Sequence, residues 1–203
     1  MRNNMKGDSM NRFVLASKSP RRREILENIG LDFEILVSSA DEDKIARNIS
    51  PEMLVSQLAL LKATAVAEKI DDGDAFIIGA DTVVSLEGEI LEKPVDEADA
   101  KRMLKELSGK THSVFTGVCV FEKKSGKAIS KYQKTDVTFK VLSDKKIDAY
   151  IKTGEPMDKA GSYGIQGKGA LLIDGIKGDY FNVVGLPVAL LADIFADEFG
   201  VEI

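Results

Sequence analysis

Residues 75–81 read Ala-Phe-Ile-Ile-Gly-Ala-Asp, an apolar run that ends on an aspartate. Apolar residues at every position are typical of a strand that is covered on both faces of its sheet. We therefore expect a central strand over 75–80, with Asp81 at its carboxyl end, where ligands of open α/β sheets usually bind. A carboxylate there can bind a metal ion or take a proton from water. The alternative is a residue of an Asx-type turn.

Helices and strands alternate on both sides of this run, as periodicity, caps and breakers indicate. The predicted helices cover residues 21–29, 50–70, 96–107, 144–152 and 187–199. The predicted strands cover residues 13–16, 33–37 and 75–80, a hairpin over 83–91, a long antiparallel hairpin over 113–121 and 127–142, a short hairpin around 175 and a strand to 184. Because hairpins interrupt the alternation, we expect an α/β fold whose sheet is mixed. We expect a single domain over 11–203, preceded by an extension over 1–10.

Composition and charge limit the function. Hydrophobic residues make up 44% and charged residues 30% of the 203 residues, which are the values of a folded globular protein. The formal net charge of -5 argues against a general nucleic-acid-binding role, which requires a basic face. A nucleotide remains a candidate ligand, since one local cluster of positive charge is enough to bind a triphosphate.

Cysteine and histidine are scarce. Cys119 is the only cysteine, so an intramolecular disulfide and a Cys-rich zinc site are excluded, and we expect a small buried apolar residue. His112 is the only histidine, which excludes a multi-histidine metal site; we expect it to begin a strand, outside the catalytic machinery.

No apolar run approaches the roughly 20 residues of a membrane span. The polar N-terminal segment has no apolar core of a signal peptide. We expect a cytoplasmic protein without a membrane partner.

Residues 16–22, Ala-Ser-Lys-Ser-Pro-Arg-Arg, lie between a predicted strand and a predicted helix. Backbone amides at a helix N-terminus bind anions, and the hydroxyl group of Ser17 adds a donor. The guanidinium groups of Arg21 and Arg22 can each donate two hydrogen bonds to phosphate oxygens. The alternative is a Ser/Pro helix cap followed by solvated arginines.

Two lysines and an acidic loop are weaker candidates. Lys62 lies mid-helix among apolar neighbours, and Lys93 follows the 83–91 hairpin, from which it could return toward Asp81. Each could equally be a solvated lysine, with Lys62 extending its amino group from an apolar surface. The acidic residues 41–43, including Glu42, are either a source of metal ligands or solvated surface.

The glycine-rich segment 154–169 is expected to lack regular structure. Glycines permit close approach of the backbone to a ligand, and the side-chain amide of Gln166 can both donate and accept, as recognition of a base requires. A plain flexible loop is the alternative, although such long loops inside a domain are usually functional.

Six motifs, taken in order, resemble the Maf family of nucleoside triphosphate pyrophosphatases. They are Ala-Ser-Lys-Ser-Pro-Arg-Arg (16–22), Gly-Ala-Asp-Thr-Val (79–83), Glu-Lys-Pro (92–94), Leu-Ser-Gly-Lys-Thr-His (107–112), Gly-Glu-Pro-Met-Asp-Lys-Ala-Gly-Ser-Tyr-Gly-Ile-Gln-Gly (154–167) and Val-Val-Gly-Leu-Pro (183–187). The resemblance extends from about Phe13 to the end of the chain. It implies an elongated mixed sheet flanked by helices, in two lobes around a central cleft, similar to inosine triphosphate pyrophosphatases.

The resemblance also implies hydrolysis of a nucleoside triphosphate to the monophosphate and pyrophosphate, with a divalent cation such as Mg²⁺, Mn²⁺ or Co²⁺. The general base falls on Asp81, the metal ligands on Asp81 and Glu42, and further active-site positions on Ser17, Arg22, Lys62 and Lys93. A homodimer is a family-level expectation.

Three positions point to a subgroup. Arg21, Thr82 and Gln166 match the specificity residues of the dTTP/UTP pyrophosphatases, which implies dTTP, UTP and modified pyrimidine triphosphates as substrates in a house-cleaning role. Two alternatives remain open: a 7-methyl-GTP pyrophosphatase, and a nucleotide-binding regulator of cell division or septum formation.

Overall fold

The computed structural model describes residues 11–46, 48–71 and 73–203. The expected extension over 1–10 lies outside these residues. The strands are β1 (Arg12–Leu15), β2 (Glu34–Ile35), β3 (Ala75–Leu86), β4 (Glu89–Leu91), β5 (Thr111–Glu122), β6 (Ala128–Phe139) and β7 (Ile173–Lys177). The helices are α1 (Pro20–Asn28), α2 (Pro51–Ala67), α3 (Glu97–Leu107), α4 (Asp144–Ile151), α5 (Tyr180–Val184) and α6 (Val188–Ile194), which a π-helical turn extends over Phe195–Phe199. Short 3-10 turns cover Glu42–Lys44, Glu155–Asp158, Ala160–Ser162 and Gly167–Leu172.

The strands form one mixed sheet, as the hairpins predict. Its order is β2-β1-β3-β5-β6-β7, with β4 paired to β3. β1 is parallel to both β2 and β3, whereas the remaining pairs are antiparallel. Among the described residues, no helix has the length and apolar character that a membrane crossing requires.

The central strand is longer than predicted. β3 continues through Asp81 to Leu86, because β5 pairs with it from Phe76 to Ser85. The expectation that Asp81 follows the end of a strand is therefore wrong. β1, however, pairs with β3 only as far as Ile78, so that the flank of β3 beside Asp81 is free of this parallel neighbour.

Three predictions in the C-terminal third are also wrong. The glycine-rich segment contains three 3-10 turns where an irregular loop was expected. The chain around Gly175 is a single strand, β7, which pairs with β6 and forms no hairpin. Residues 180–184 form α5, which begins after Asp179, whose side chain accepts from the amide of Phe181.

The hydrophobic core divides along β3. Ile78 and Ala80 pack in a cluster with β1, α1 and α6, whereas Val84 and Leu86 pack in a second cluster with α3, α4 and β6. Thr82 lies between the two clusters on this face of β3, whereas Asp81 points to the opposite face, toward α2. This division corresponds to the two lobes that the resemblance implies.

Helix α2 lies directly against the sheet at two glycines. A Cβ atom on Gly79 would lie 2.2 Å from the carbonyl oxygen of Ala59, and one on Gly117 would lie 2.2 Å from that of Val55. Only glycine permits such close contact between a helix backbone and strands. The close packing brings Lys62 of α2 over β3.

Candidate active site

A cleft with a cavity of about 850 Å³ opens beside the middle of β3. This volume lies within the range of small-molecule sites. Every site residue predicted from the sequence lines it: Ser17, Arg21, Arg22, Glu42, Lys62, Asp81, Thr82, Lys93 and Gln166. These residues come from α1 and the loop before it, the 3-10 turn over Glu42–Lys44, α2, β3, the segment after β4 and the glycine-rich segment.

Lys62 joins the two predicted metal ligands. Its Nζ lies 2.5 Å from Asp81 Oδ1 and 3.1 Å from Glu42 Oε1. The side chains of Lys62 and Asp81 are each only 14% exposed, so their interaction is poorly screened by solvent. Glu42 reaches the pair from a 3-10 turn that Asp41 caps by accepting from the amide of Asp43. The acidic loop is therefore part of the cleft through Glu42.

The donor set is compatible with a divalent cation. No group of three or more His, Cys, Asp or Glu side chains suited to a metal was found in the described part of the chain. Mg²⁺ in nucleotide enzymes needs only one or two protein carboxylates, because water and substrate phosphates complete its coordination shell. Asp81 and Glu42, which contact the same ammonium group, supply two carboxylates of this kind.

Arg22 is tied into the protein by its own hydrogen bonds. Its Nε donates to the carbonyl oxygen of Gly185 at 2.7 Å, and Nη1 donates to Ser17 Oγ at 3.2 Å and to the carbonyl oxygen of Ala80 at 2.9 Å. Nη2 donates to Thr82 Oγ1 at 3.1 Å. Burial lowers the pKa of Arg22, and the nearby charge of Asp81 opposes this shift. Since a guanidinium has five N–H groups, little of its donor capacity remains for a ligand.

The alternative of solvated arginines after a helix cap is thus wrong for Arg22. α1 begins at Pro20, and Ser19 at its N-cap makes no side-chain capping bond. Ser17 Oγ instead accepts from the amide of Ser19 at 3.2 Å, as well as from Arg22. The loop is held against β3 by these contacts.

Thr82 belongs to a chain of hydroxyl groups under the cleft. Its Oγ1 lies 3.0 Å from Thr116 Oγ1, which donates to the carbonyl oxygen of Asn182 at 2.8 Å. Thr82 Oγ1 also accepts the hydrogen bond from Arg22 Nη2. This network connects β3 to β5 and α5.

Arg21 links the two lobes across the cleft. Its Nη1 lies 3.2 Å from Asp158 Oδ2, and Asp158 Oδ1 accepts from Lys159 Nζ at 2.7 Å. Burial alone would raise the pKa of Asp158, but the hydrogen bond from Lys159 and the charge of Arg21 lower it overall. Arg21 and Gln166 both line the same cavity. Lys93 lies exposed at the rim of the cleft, and Lys62 is the lysine in contact with Asp81.

The residues outside the predicted catalytic set behave as expected. Cys119 is fully buried, and burial raises the pKa of its thiol to about 12. His112 is buried near the start of β5, with Nε2 2.6 Å from the hydroxyl oxygen of Tyr163. Neither presents a reactive side chain to solvent.

Sequence reasoning missed four residues that organise the site. Gly185 and Thr116 fix the surroundings of Arg22 and Thr82, while Tyr150 and Glu155 contact the segment around Gln166. Gly185 and Glu155 lie within two of the six motifs, at positions to which no role was assigned. Tyr150 and Thr116 carry no local signal, since their partners are distant in the sequence.

Solved structures offer only a distant likeness. A HAM1 protein from Coxiella burnetii is 16% identical with a TM-score of 0.44, over 64% of this chain and 73% of that one. A nucleoside-triphosphatase / dITP/XTP pyrophosphatase from Mycobacterium abscessus is 14% identical with a TM-score of 0.40, over 63% of this chain and 72% of that one. Neither similarity is high enough to support an argument about this chain.

Sequence relatives are much closer. A dTTP/UTP pyrophosphatase of Bacillus cereus is 52% identical over 185 residues, which cover 91% of this chain and 89% of the relative. The protein of the same name from Bacillus cytotoxicus is 52% identical over 182 residues, which cover 90% of this chain and 93% of the relative. The sequence model of the family described as Maf-like protein matches residues 12–198, from β1 into the C-terminal π-helical turn. By this match and by its relatives, the chain belongs to the family of Maf-like proteins.

Proposed function

We propose that the protein hydrolyses nucleoside triphosphates to the monophosphate and pyrophosphate, acting on dTTP, UTP and modified pyrimidine triphosphates in a house-cleaning role. The observation that carries this proposal is the Glu42–Lys62–Asp81 contact inside a cleft large enough for a nucleotide. The relatives at 52% identity, which are named dTTP/UTP pyrophosphatases, support the substrate class.

Asp81 and Glu42 are the residues that would hold a divalent cation, Mg²⁺, Mn²⁺ or Co²⁺. Such a cation, when bound, offsets the negative charge of the phosphates. Asp81 orients the attacking water and accepts its proton as general base. Lys62 and Lys93 stabilise the charge that develops on the leaving pyrophosphate.

The loop before α1 positions the triphosphate. Ser17 and Arg22 are assigned to phosphate, and the contacts of Arg22 indicate that it acts mainly by holding this loop against β3. The helix N-terminus that follows the loop favours negative charge.

The base is selected between the lobes. Arg21, Gln166 and Thr82 of β3 all line the cavity. The Gln166 amide can donate to a carbonyl oxygen and accept from an N–H, which is the pattern that uracil and thymine present. Loss of pyrimidine preference in Arg21→Ala and Gln166→Ala would support this assignment.

The test is pyrophosphate release from a panel of normal and modified nucleoside triphosphates with each of the three cations. The wild-type protein should favour dTTP, UTP and modified pyrimidine triphosphates.

Asp81→Asn should lower the rate by at least two to three powers of ten, roughly 3–4 kcal/mol. Near-normal turnover by this variant would refute the assignment of Asp81. Binding of dTTP with negligible turnover would favour a regulator of cell division, and a preference for 7-methyl-GTP would favour the other subgroup.

A further inference from the structure

The carboxylate of Glu155 accepts three hydrogen bonds next to the segment that carries Gln166. Its Oε1 accepts from the Tyr150 hydroxyl group at 3.0 Å and from the amide of Gly169 at 3.0 Å. Its Oε2 accepts from the amide of Lys168 at 3.1 Å. Both oxygens of one carboxylate are therefore bonded to the chain that follows Gln166.

Tyr150 extends this contact to the other side of Gln166. While it donates to Glu155, its hydroxyl oxygen accepts from the amide of Gly164 at 3.2 Å. The two side chains thus hold backbone amides both before and after Gln166. Fixing the backbone on both sides restricts the directions in which the Gln166 amide can point.

The glycines around Gln166 show how closely the segment folds. A Cβ atom on Gly169 would lie 2.1 Å from the carbonyl oxygen of Gly164, so the two ends of the segment are in direct contact. Gly167 has a φ of +64°, and a Cβ atom there would lie 2.9 Å from Glu155 Oε2. The segment therefore closes on itself directly over the Glu155 carboxylate.

The support itself is anchored in the core. Tyr150 is only 4% exposed and packs in the cluster of α3, α4 and β6. Burial raises the pKa of its hydroxyl group, which remains a donor. Burial would also raise the pKa of Glu155, but the hydrogen bonds from Gly169, Lys168 and Tyr150 outweigh it and keep the side chain a carboxylate acceptor.

We propose that Glu155, together with Tyr150, is a positioning residue that fixes Gln166 for recognition of the pyrimidine base. This proposal rests on the proposed function, because it concerns how that reaction selects its substrate. Glu155 acts through the backbone of residues 164–169 and leaves the Glu42–Lys62–Asp81 contact intact.

The first test is steady-state kinetics of Glu155→Gln and Tyr150→Phe with dTTP, UTP and a purine triphosphate. An amide at position 155 keeps the shape of the side chain but cannot accept all three hydrogen bonds. We expect the KM for dTTP to rise about tenfold, with kcat changed less than about threefold, because hydrogen bonds to a charged group are lost at a distance from the reacting atoms. Preference for pyrimidine over purine triphosphates should fall by a similar factor.

The second test does not require turnover. Hydrogen exchange of the amides of Gly164, Lys168 and Gly169 should become at least about tenfold faster in Glu155→Gln, with amides of β5 unchanged. The matched control is Glu106→Gln, which removes a carboxylate from an exposed pair with Arg102 on α3. It should leave both kinetics and exchange as in the wild type.

The double variant provides a further check. Tyr150→Phe with Glu155→Gln should raise the KM for dTTP little more than the stronger single variant, because both act on one segment. Wild-type selectivity and KM in both single variants would overturn the proposal. A wild-type protein that releases no pyrophosphate would instead overturn the proposed function. In that case the exchange rates alone would support or overturn the anchoring of the segment by Glu155.

Discussion

Lys62 Nζ lies 2.5 Å from Asp81 Oδ1, and this contact joins α2 to the central strand. It exists because the backbone of α2 rests on β3 and β5 at Gly79 and Gly117. The geometry of the proposed reaction centre therefore depends on two glycines that have no chemistry of their own.

We expect Gly79→Ala to destabilise the protein by about 3 kcal/mol or more, since the added methyl group overlaps the backbone of α2. Pyrophosphate release should fall as Lys62 moves away from Asp81. Urea unfolding and activity should be measured beside Gly175→Ala on β7, where a Cβ atom would meet nothing within 4 Å. Wild-type stability in Gly79→Ala would show that α2 can shift freely.

The proposed role of Glu42 as a metal ligand can be distinguished from a general effect of negative charge in the same turn. Glu42→Gln should raise the Mg²⁺ concentration for half-maximal activity at least about tenfold, since losing one metal ligand should cost no less than losing a supporting partner. Asp43→Asn removes an exposed carboxylate from the same turn and should change this value little. An unchanged requirement for Mg²⁺ in Glu42→Gln would remove Glu42 from the metal site.

Neighbouring arginines should respond differently to the same substitution. Arg22→Lys should lower the free energy of unfolding by about 3 kcal/mol, because one ammonium group cannot reach the four acceptors that Arg22 contacts and leaves some unsatisfied. Arg21→Lys keeps its exposed pair with Asp158 and should cost less than about 1 kcal/mol. Equal losses in urea unfolding would contradict the structural role of Arg22.

Stability should depend on His112 below neutral pH. Burial lowers its pKa from 6.5 to about 4, and the charge of Asp136 only partly opposes this. Between these two pH values the imidazole of His112 is protonated in the unfolded chain but neutral in the folded protein. The free energy of unfolding therefore decreases as the pH falls from about 6.5 to about 4. The loss attributable to this group approaches about 3 kcal/mol. Unfolding of the wild type and of His112→Gln at several pH values should show the difference shrinking as the pH falls; parallel curves would exclude this linkage.

Elements defined by nearby residues were predicted well. α2 begins at Pro51 after Ser50, whose side chain accepts from the amide of Met53, and α3 begins after Asp96, which accepts from Asp99. Such caps act within a few residues, so they are legible in the sequence. The length of β3 was not predicted correctly, because its second half is stabilised by pairing with β5, which lies much later in the chain.

The sequence by itself determined which chemical groups this protein has for its cleft, because short motifs carry Ser17, Asp81 and Gln166 in recognisable surroundings. Only the tertiary structure decided what those groups contact. It placed Lys62 between Glu42 and Asp81, committed most of the Arg22 donors to the protein, and put Glu155 beneath Gln166. These contacts depend on strand order, on the close approach of α2 to the sheet and on the folding of the glycine-rich segment, which arise from long-range packing that no local pattern encodes.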